Sequence, residues 1–125
     1  MSVMDAFTWI LVLSSIALLF WFLWFGRISD DQAKAYIDNG ALIIDVRTSA
    51  RYSQKQLEGT VNFPIGSVVQ SIQSLVQEKP RTILCHCESG GLSAIAVSQL
   101  RRAGYKESFN LGSYRRAAAL LRSEQ

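Results

Sequence analysis

The chain has 125 residues, of which 49% are hydrophobic and 18% charged, and its formal net charge is +3. High hydrophobicity with a low net charge excludes a disordered chain, and two cysteines are too few for a disulfide scaffold. A polytopic transporter is excluded because only one segment is long and apolar enough to cross a bilayer. Within the chain, 20 of the first 26 residues are hydrophobic, whereas the remainder has the composition of a soluble domain. We therefore expect a membrane anchor over residues 1–26 and a single domain over residues 27–125.

The first predicted element is a transmembrane helix over residues 7–25, a run of 19 residues without a charge. As a helix it would be about 28 Å long, close to the hydrocarbon thickness of a bilayer. Trp9 lies near one end and Trp21 and Trp24 near the other, where aromatic side chains favour the headgroup level. A buried core helix is disfavoured because the run has no polar face. A cleaved signal peptide is disfavoured because no Lys or Arg precedes the run and no small-residue cleavage site follows it.

Basic residues near the predicted span indicate its orientation. None precedes the span, whereas Arg27 and Lys34 follow it. The positive-inside rule then predicts a single-pass protein of a bacterial inner membrane, with its C-terminal domain in the cytoplasm. Cys85 and Cys87 lie on one predicted strand, too extended to bridge easily, and free thiols suit a reducing compartment.

The domain alternates helical and strand patterns. A helix opens at Ser29, its predicted N-cap, and ends near Asp38. Strands are then predicted over 41–46, 61–63, 82–87 and 108–110, and helices over 49–56, 67–77, from Gly90–Gly91 to Gly104, and over 114–122. This alternation predicts an α/β fold in which a small parallel sheet is flanked by helices on both faces. Ligands of such sheets bind at the carboxyl ends of the strands.

The most informative segment is the end of the third predicted strand. Cys87 is followed by a loop of two glycines and two hydroxyls that leads into a helix. Glycines let several backbone N–H groups turn toward one point, and the helix N-terminus adds partial positive charge. This setting favours a reactive Cys87, whose anionic form the loop would stabilise, over an inert buried thiol. The candidate anion-binding loop comprises Glu88, Ser89, Gly90, Gly91, Leu92 and Ser93.

Other readings of this segment are weaker. Cys85, inside the strand, is expected to be a core residue. No metal site is expected, because two Cys and one His in consecutive positions are too few ligands for zinc.

Three motifs resemble those of rhodanese-like sulfurtransferase domains, over about residues 28–115. The first is LIIDVR at 42–47 with Tyr52 after it, similar to a strand that ends in Asp-Val-Arg. The second is LEGTVNFP at 57–64, similar to His-Ile-x-Gly-Ala-x-Asn-Ile-Pro. The third is CESGGLS at 87–93, similar to Cys-x-Ser-Gly-x-Arg-Ser.

The resemblance implies a ping-pong transfer of sulfane sulfur. Cys87 would become a persulfide, held by the loop amides, and would pass the sulfur to cyanide, a thiol or a protein cysteine. The partners are therefore a sulfur donor and acceptor, and no metal or organic cofactor is implied. Asp45 and Arg47 resemble the family's supporting pair near the strand end. For the basic side chains Arg47, Arg51 and Lys55, a solvated surface is favoured over recruitment of anionic donors.

Several positions depart from the family pattern. Leu92 stands where many members have an arginine, and Glu88 where many have a basic residue, which predicts weak binding of thiosulfate. Gln56 replaces a histidine, and Leu111-Gly112-Ser113 only partly matches Leu-x-Gly-Gly.

These departures keep a second function open, that of an inactive rhodanese fold that docks a partner at the membrane. A Cys-based phosphatase or arsenate reductase is disfavoured, because Ser93 occupies the place of its essential arginine. No nucleic-acid partner is expected, since the net charge of the domain is small. The arginines of the last helix are too few for a lipid-binding patch.

Overall fold

A computed structural model describes residues 3–25 and 27–122. Helix α1 spans Val3–Phe25. Its part Val3–Phe22 is long and apolar enough to cross a membrane, and none of it is buried against the rest of the described chain. A core helix would be buried, so α1 is a candidate membrane span or signal sequence. The side chain of Trp24, one of the expected interfacial tryptophans, lies outside the described part.

The domain that follows contains five helices and four strands in the described residues. They are α2 (Asp30–Asp38), β1 (Leu42–Asp45), α3 (Ser49–Gln54), β2 (Val61–Asn62), α4 (Val68–Leu75), β3 (Ile83–Cys87), α5 (Gly91–Arg102), β4 (Ser108–Ser113) and α6 (Tyr114–Arg122). A short 3₁₀ turn, Ile65–Ser67, precedes α4. Ser29 caps α2, as predicted, by accepting a hydrogen bond from the Gln32 N–H.

The four strands form one parallel sheet in the order β2-β1-β3-β4. Its two faces carry separate cores. On one face, Ile44, Ile83, Cys85 and Cys87 pack against α4 and α5; on the other, Ile43, Leu84 and Leu111 pack against α2 and α6. The predicted α/β architecture, a small parallel sheet with helices on both faces, is therefore confirmed. The carboxyl ends of β1 and β3 bring Asp45 and Cys87 to the same edge of the sheet.

Strand β4 is longer than the prediction of 108–110. Its register against β3 shifts between Cys85 and His86, so that Leu111 is an extra residue in the ladder. Gly112, which follows, has a φ of +99°, a conformation that favours glycine. A Leu-Gly-Ser sequence indicates a turn when only local preference is considered. Here the bulge keeps Leu111 buried in the second core, and pairing continues to Ser113.

Helix α3 is shorter than the predicted 49–56. It ends at Gln54, because Lys55 has an extended backbone that breaks the helix. The Lys55 carbonyl is thereby free to accept a hydrogen bond from the Arg47 side chain.

Candidate active site

Cys87 is the last residue of β3, and its sulfur lies under the first turn of α5. The Gly90 N–H donates to Cys87 Sγ at 3.0 Å, the Ser93 N–H donates at 3.4 Å, and the Ser93 hydroxyl lies 3.4 Å away. An array of such donors favours negative charge on the atom they surround. Of the six residues expected to form the loop, Gly90 and Ser93 thus contact the sulfur. No hydrogen bond to it is seen from the other four, all of which are described.

The conformation of Gly90 makes this arrangement possible. Gly90 is the N-cap of α5 with a φ of +98°, where an L side chain is strained. A Cβ at this position would lie 3.4 Å from the backbone of Gly112 on β4, an ordinary van der Waals contact. Glycine is therefore favoured here by the backbone conformation that turns the amide toward the sulfur, and not by lack of space.

Asn110 on β4 holds the loop through hydrogen bonds, a role that the sequence analysis did not predict. Its Oδ1 lies 2.7 Å from the Ser93 hydroxyl and accepts a hydrogen bond from the Gly112 N–H. Its Nδ2 donates to the Gly90 carbonyl at 3.1 Å. Asn110 is 1% exposed, and an amide placed between two apolar residues, Phe109 and Leu111, is the sequence signal that could have identified it.

Asp45 and Arg47 form a buried ion pair at the end of β1. Arg47 Nη2 lies 2.7 Å from Asp45 Oδ2, and Arg47 Nε and the backbone N–H also donate to this carboxylate. Hydrogen bonding to Asp45 raises the pKa of Arg47 above its ordinary value, although burial opposes this. The expectation that Arg47 is solvated is wrong, because it is 5% exposed and saturated with acceptors.

Arg47 also joins β1 to the cysteine loop. Its Nη1 lies 3.3 Å from Oε2 of Glu88, whose side chain is 62% exposed. Glu88 thus neutralises the one part of the Arg47 guanidinium that faces the site.

The neighbours of Cys87 on β3 are fully buried. Burial, assisted by the nearby Cys87, raises the pKa of the Cys85 thiol to about 12, so it is neutral at ordinary pH. Burial also lowers the pKa of His86, whose Nε2 lies 3.8 Å from Asp45 Oδ2. Neither side chain lines the cavity over Cys87.

An open cavity of about 230 Å³ lies over Cys87. Its lining comprises Arg47, Thr48, Arg51, Cys87, Glu88, Ser89 and Leu92. Leu92 is 45% exposed at the rim, where it contributes apolar surface and no charge. The site therefore combines a hydrogen-bonded sulfur, an exposed carboxylate and an apolar rim.

Known proteins are similar to this chain in both sequence and structure. Residues 29–117 match the family model of the rhodanese-like domain. The chain is 33% identical over 69 residues to the thiosulfate sulfurtransferase PspE of Escherichia coli, covering 55% of this chain and 66% of that protein. It is 32% identical over 76 residues to a tRNA sulfurtransferase of Thermoplasma acidophilum, covering 61% of this chain and 15% of that protein.

Solved structures give the same result. A structure described as a rhodanese with anions from E. coli has a TM-score of 0.59 at 30% identity, covering 62% of this chain and 91% of that one. The human single-domain sulfurtransferase TSTD1 has a TM-score of 0.62 at 20% identity, covering 74% and 95%, and shows the fold alone. The proteins similar to this chain include sulfurtransferases. Because the family match covers most of the chain, the chain belongs to the rhodanese-like family.

Proposed function

We propose that the protein is a membrane-anchored sulfurtransferase or persulfide carrier that uses Cys87. The Cys87 thiolate attacks the outer sulfur of a donor, and the donor's remaining part leaves with the electron pair of the broken bond. A nucleophilic acceptor, such as a thiolate or cyanide, then attacks the outer sulfur of the Cys87 persulfide, and the Cys87 thiolate leaves. The two steps move one sulfur atom without net oxidation.

The observation that carries this proposal is the environment of Cys87 Sγ. Two backbone N–H groups, of Gly90 and Ser93, converge on the sulfur, and a cavity opens beside it. Donors fixed before the reaction stabilise the charge that develops on the leaving thiolate without reorganisation. The names of the relatives, thiosulfate sulfurtransferase and tRNA sulfurtransferase, support the same reaction class.

We further propose that residues 1–26 anchor the protein and that residues 27–125 form the catalytic domain on the cytoplasmic side. The length and exposure of the apolar helix support the anchor. The positions of Arg27 and Lys34 after the helix support this orientation.

A binding module is the second candidate function. It is favoured by Leu92 and Glu88, because an apolar side chain and an exposed carboxylate stand at the two positions of the loop where basic residues are expected. In that case the cavity would hold a partner's side chain rather than a sulfur donor.

Mass spectrometry of the full-length protein in detergent separates the two candidates. After incubation with thiosulfate or a small-molecule persulfide, we expect Cys87 to gain the mass of one sulfur atom. Cys87→Ser should gain none, whereas Cys85→Ala, which removes the buried neutral thiol, should still gain one. A folded protein that gains no sulfur from either donor would contradict the enzyme and favour the binding module.

A further inference from the structure

The segment after α1 is attached to one edge of the domain. Arg27 forms an isolated parallel β-bridge with Asn110 of β4, the edge strand of the sheet. Helix α1 ends at Phe25, two residues earlier. Because two residues span at most about 7 Å, this end of α1 must lie close to the domain.

A described side chain near the end of α1 gives the side of approach. Phe22 lines a cleft together with Arg101, Arg102 and Lys106, which lie at the end of α5 and just before β4, at the amino ends of the strands. Cys87 lies at the opposite end, paired with Ser113. Asn110 pairs with Cys85, two residues before Cys87 on β3, which is about 7 Å along the strand. The anchor therefore reaches the domain from the side that faces away from the candidate active site.

The amino-end surface is basic. Five exposed cations lie in the loops before β3 and β4 and at the end of α5, which we call the basic face: Lys79, Arg81, Arg101, Arg102 and Lys106. Three exposed acids lie in the same region: Asp38, Glu78 and Glu107. Cations therefore outnumber carboxylates there.

Backbone carbonyls hold three of these cations in place. Lys79 Nζ donates to the Ala103 carbonyl at 2.6 Å, and Arg81 Nη2 donates to the Gly40 carbonyl at 2.9 Å. Arg101 Nε donates to the Ser108 carbonyl at 2.9 Å. Each bond uses a single donor, so the remaining donors stay available for an anion. Clusters of four to eight basic side chains beside a membrane segment are typical of anionic-lipid binding.

We propose that the basic face lies on the anionic phospholipid headgroups around the anchor. This rests on the proposed membrane anchor but is independent of the proposed chemistry of Cys87. The contact directs the carboxyl end of the sheet, and with it the Cys87 loop, away from the bilayer and toward water-soluble donors and acceptors.

Lysine acylation of the full chain in lipid nanodiscs tests this. Lys106 lies on the basic face, whereas Lys55 lies beside the loop of Cys87 and serves as an internal control. We expect acylation of Lys106 to be about fivefold slower in nanodiscs with anionic lipid than in purely zwitterionic ones. Acylation of Lys55 should be equal in both, and high salt should abolish the difference. Arg102→Glu should weaken the protection of Lys106, whereas Arg115→Glu, the same charge reversal on α6, should not.

The outcomes separate this proposal from the anchor. Alkaline extraction of the full chain from both kinds of membrane would overturn the anchor and, with it, the headgroup contact. Stable insertion with equal acylation of Lys106 in the two lipids would overturn the headgroup contact alone. Protection of Lys106 by added RNA in zwitterionic nanodiscs at physiological salt, but not by anionic lipid, would assign the face to a nucleic acid instead. None of these outcomes depends on sulfur transfer.

Discussion

Glu88 places a carboxylate at the mouth of the cavity that contains the Cys87 sulfur. It directly follows the cysteine, and its carboxylate forms an ion pair with Nη1 of Arg47, the guanidinium nitrogen that faces the site. Asp45 already neutralises the inward side of that guanidinium. The two carboxylates therefore offset the charges of Arg47 and of Arg51, which also lines the cavity, so the site offers an anionic donor such as thiosulfate little net attraction beyond the two N–H groups directed at the sulfur.

Removal of the Glu88 charge should improve the reaction with thiosulfate. In Glu88→Gln, the amide oxygen can still accept from Arg47, but the negative charge at the mouth of the cavity and its repulsion of an anionic donor are lost. We expect kcat/KM for thiosulfate to rise by about three- to tenfold, a modest factor because Glu88 is largely exposed. Steady-state assays with thiosulfate and with an uncharged alkyl persulfide measure this. The rate with the uncharged donor should change little.

Glu58→Gln is the matched control for this experiment. It removes the same charge from the neighbouring cleft, which Glu88 also lines, without changing a contact of Arg47. Equal gains for both donors in Glu88→Gln, or an equal gain in Glu58→Gln, would contradict a specific effect of the pair between Arg47 and Glu88.

At the scale of elements, the junction of β4 with the start of α5 maintains the shape of the loop. Asn110 satisfies the Gly90 carbonyl and the Gly112 N–H, and it contacts the Ser93 hydroxyl. The bulge at Leu111 and the conformation of Gly112 allow these contacts without displacing the ladder. The cradle of the sulfur thus depends on a strand that follows it in the chain.

Asn110→Ala should therefore affect both stability and the site. Because it leaves buried polar groups without partners, we expect the free energy of unfolding to fall by about 1–3 kcal/mol. Persulfide formation on Cys87 should slow under conditions in which the variant is still folded. Denaturant unfolding and time-resolved mass spectrometry measure the two effects. Asn39→Ala, at the exposed end of α2, is the control and should change neither. A variant as stable as the wild type would show that Asn110 does not hold the loop.

Elements with strong local patterns were predictable from the sequence. The apolar run ending in Asp-Val predicts β1 because a fully buried parallel strand needs continuous apolar residues. The Cys87 loop is predictable for a similar reason, since the glycines and the helix start are contiguous with the cysteine. The continuation of β4 was not predictable, because its pairing with β3 overrides a local Leu-Gly-Ser turn preference.

The contacts that complete the site depend on long-range packing. Asn110 meets Ser93 across 17 residues, and Arg47 meets Glu88 across 41. Periodicity and spacing carry no information on such pairs, which is why Arg47 was expected in solvent and Asn110 was missed. The resemblance to the family supplied the pairing of Asp45 with Arg47. It did not indicate that the Glu88 carboxylate accepts a hydrogen bond from the same arginine.

At the scale of the whole molecule, the helix α1 lies outside the hydrophobic cores of the domain in the described chain. Every residue of the two cores lies between Ile28 and Leu121, and α1 contributes none. The described part of the segment joining them includes the bridge from Arg27 to Asn110. We therefore expect the free energy of unfolding to be determined by the domain, and the attachment to a membrane by the helix.

Removal of the anchor tests this separation. Residues 27–125 expressed alone should unfold in one cooperative transition, because both hydrophobic cores are retained. We expect the midpoint temperature to lie within about 5 °C of that of the domain in the full chain, since a loss below 1 kcal/mol produces no larger shift in a domain of this size. Circular dichroism of the fragment in buffer and of the full chain in mild detergent measures it. As a control, residues 28–125 lack Arg27 and its bridge but keep Ile28 and the Ser29 cap, and any further loss gives the contribution of Arg27. A fragment 27–125 that unfolds without cooperativity would show that the domain needs α1 in order to fold. The exposed apolar side chains of α1 would then not indicate a separate membrane span.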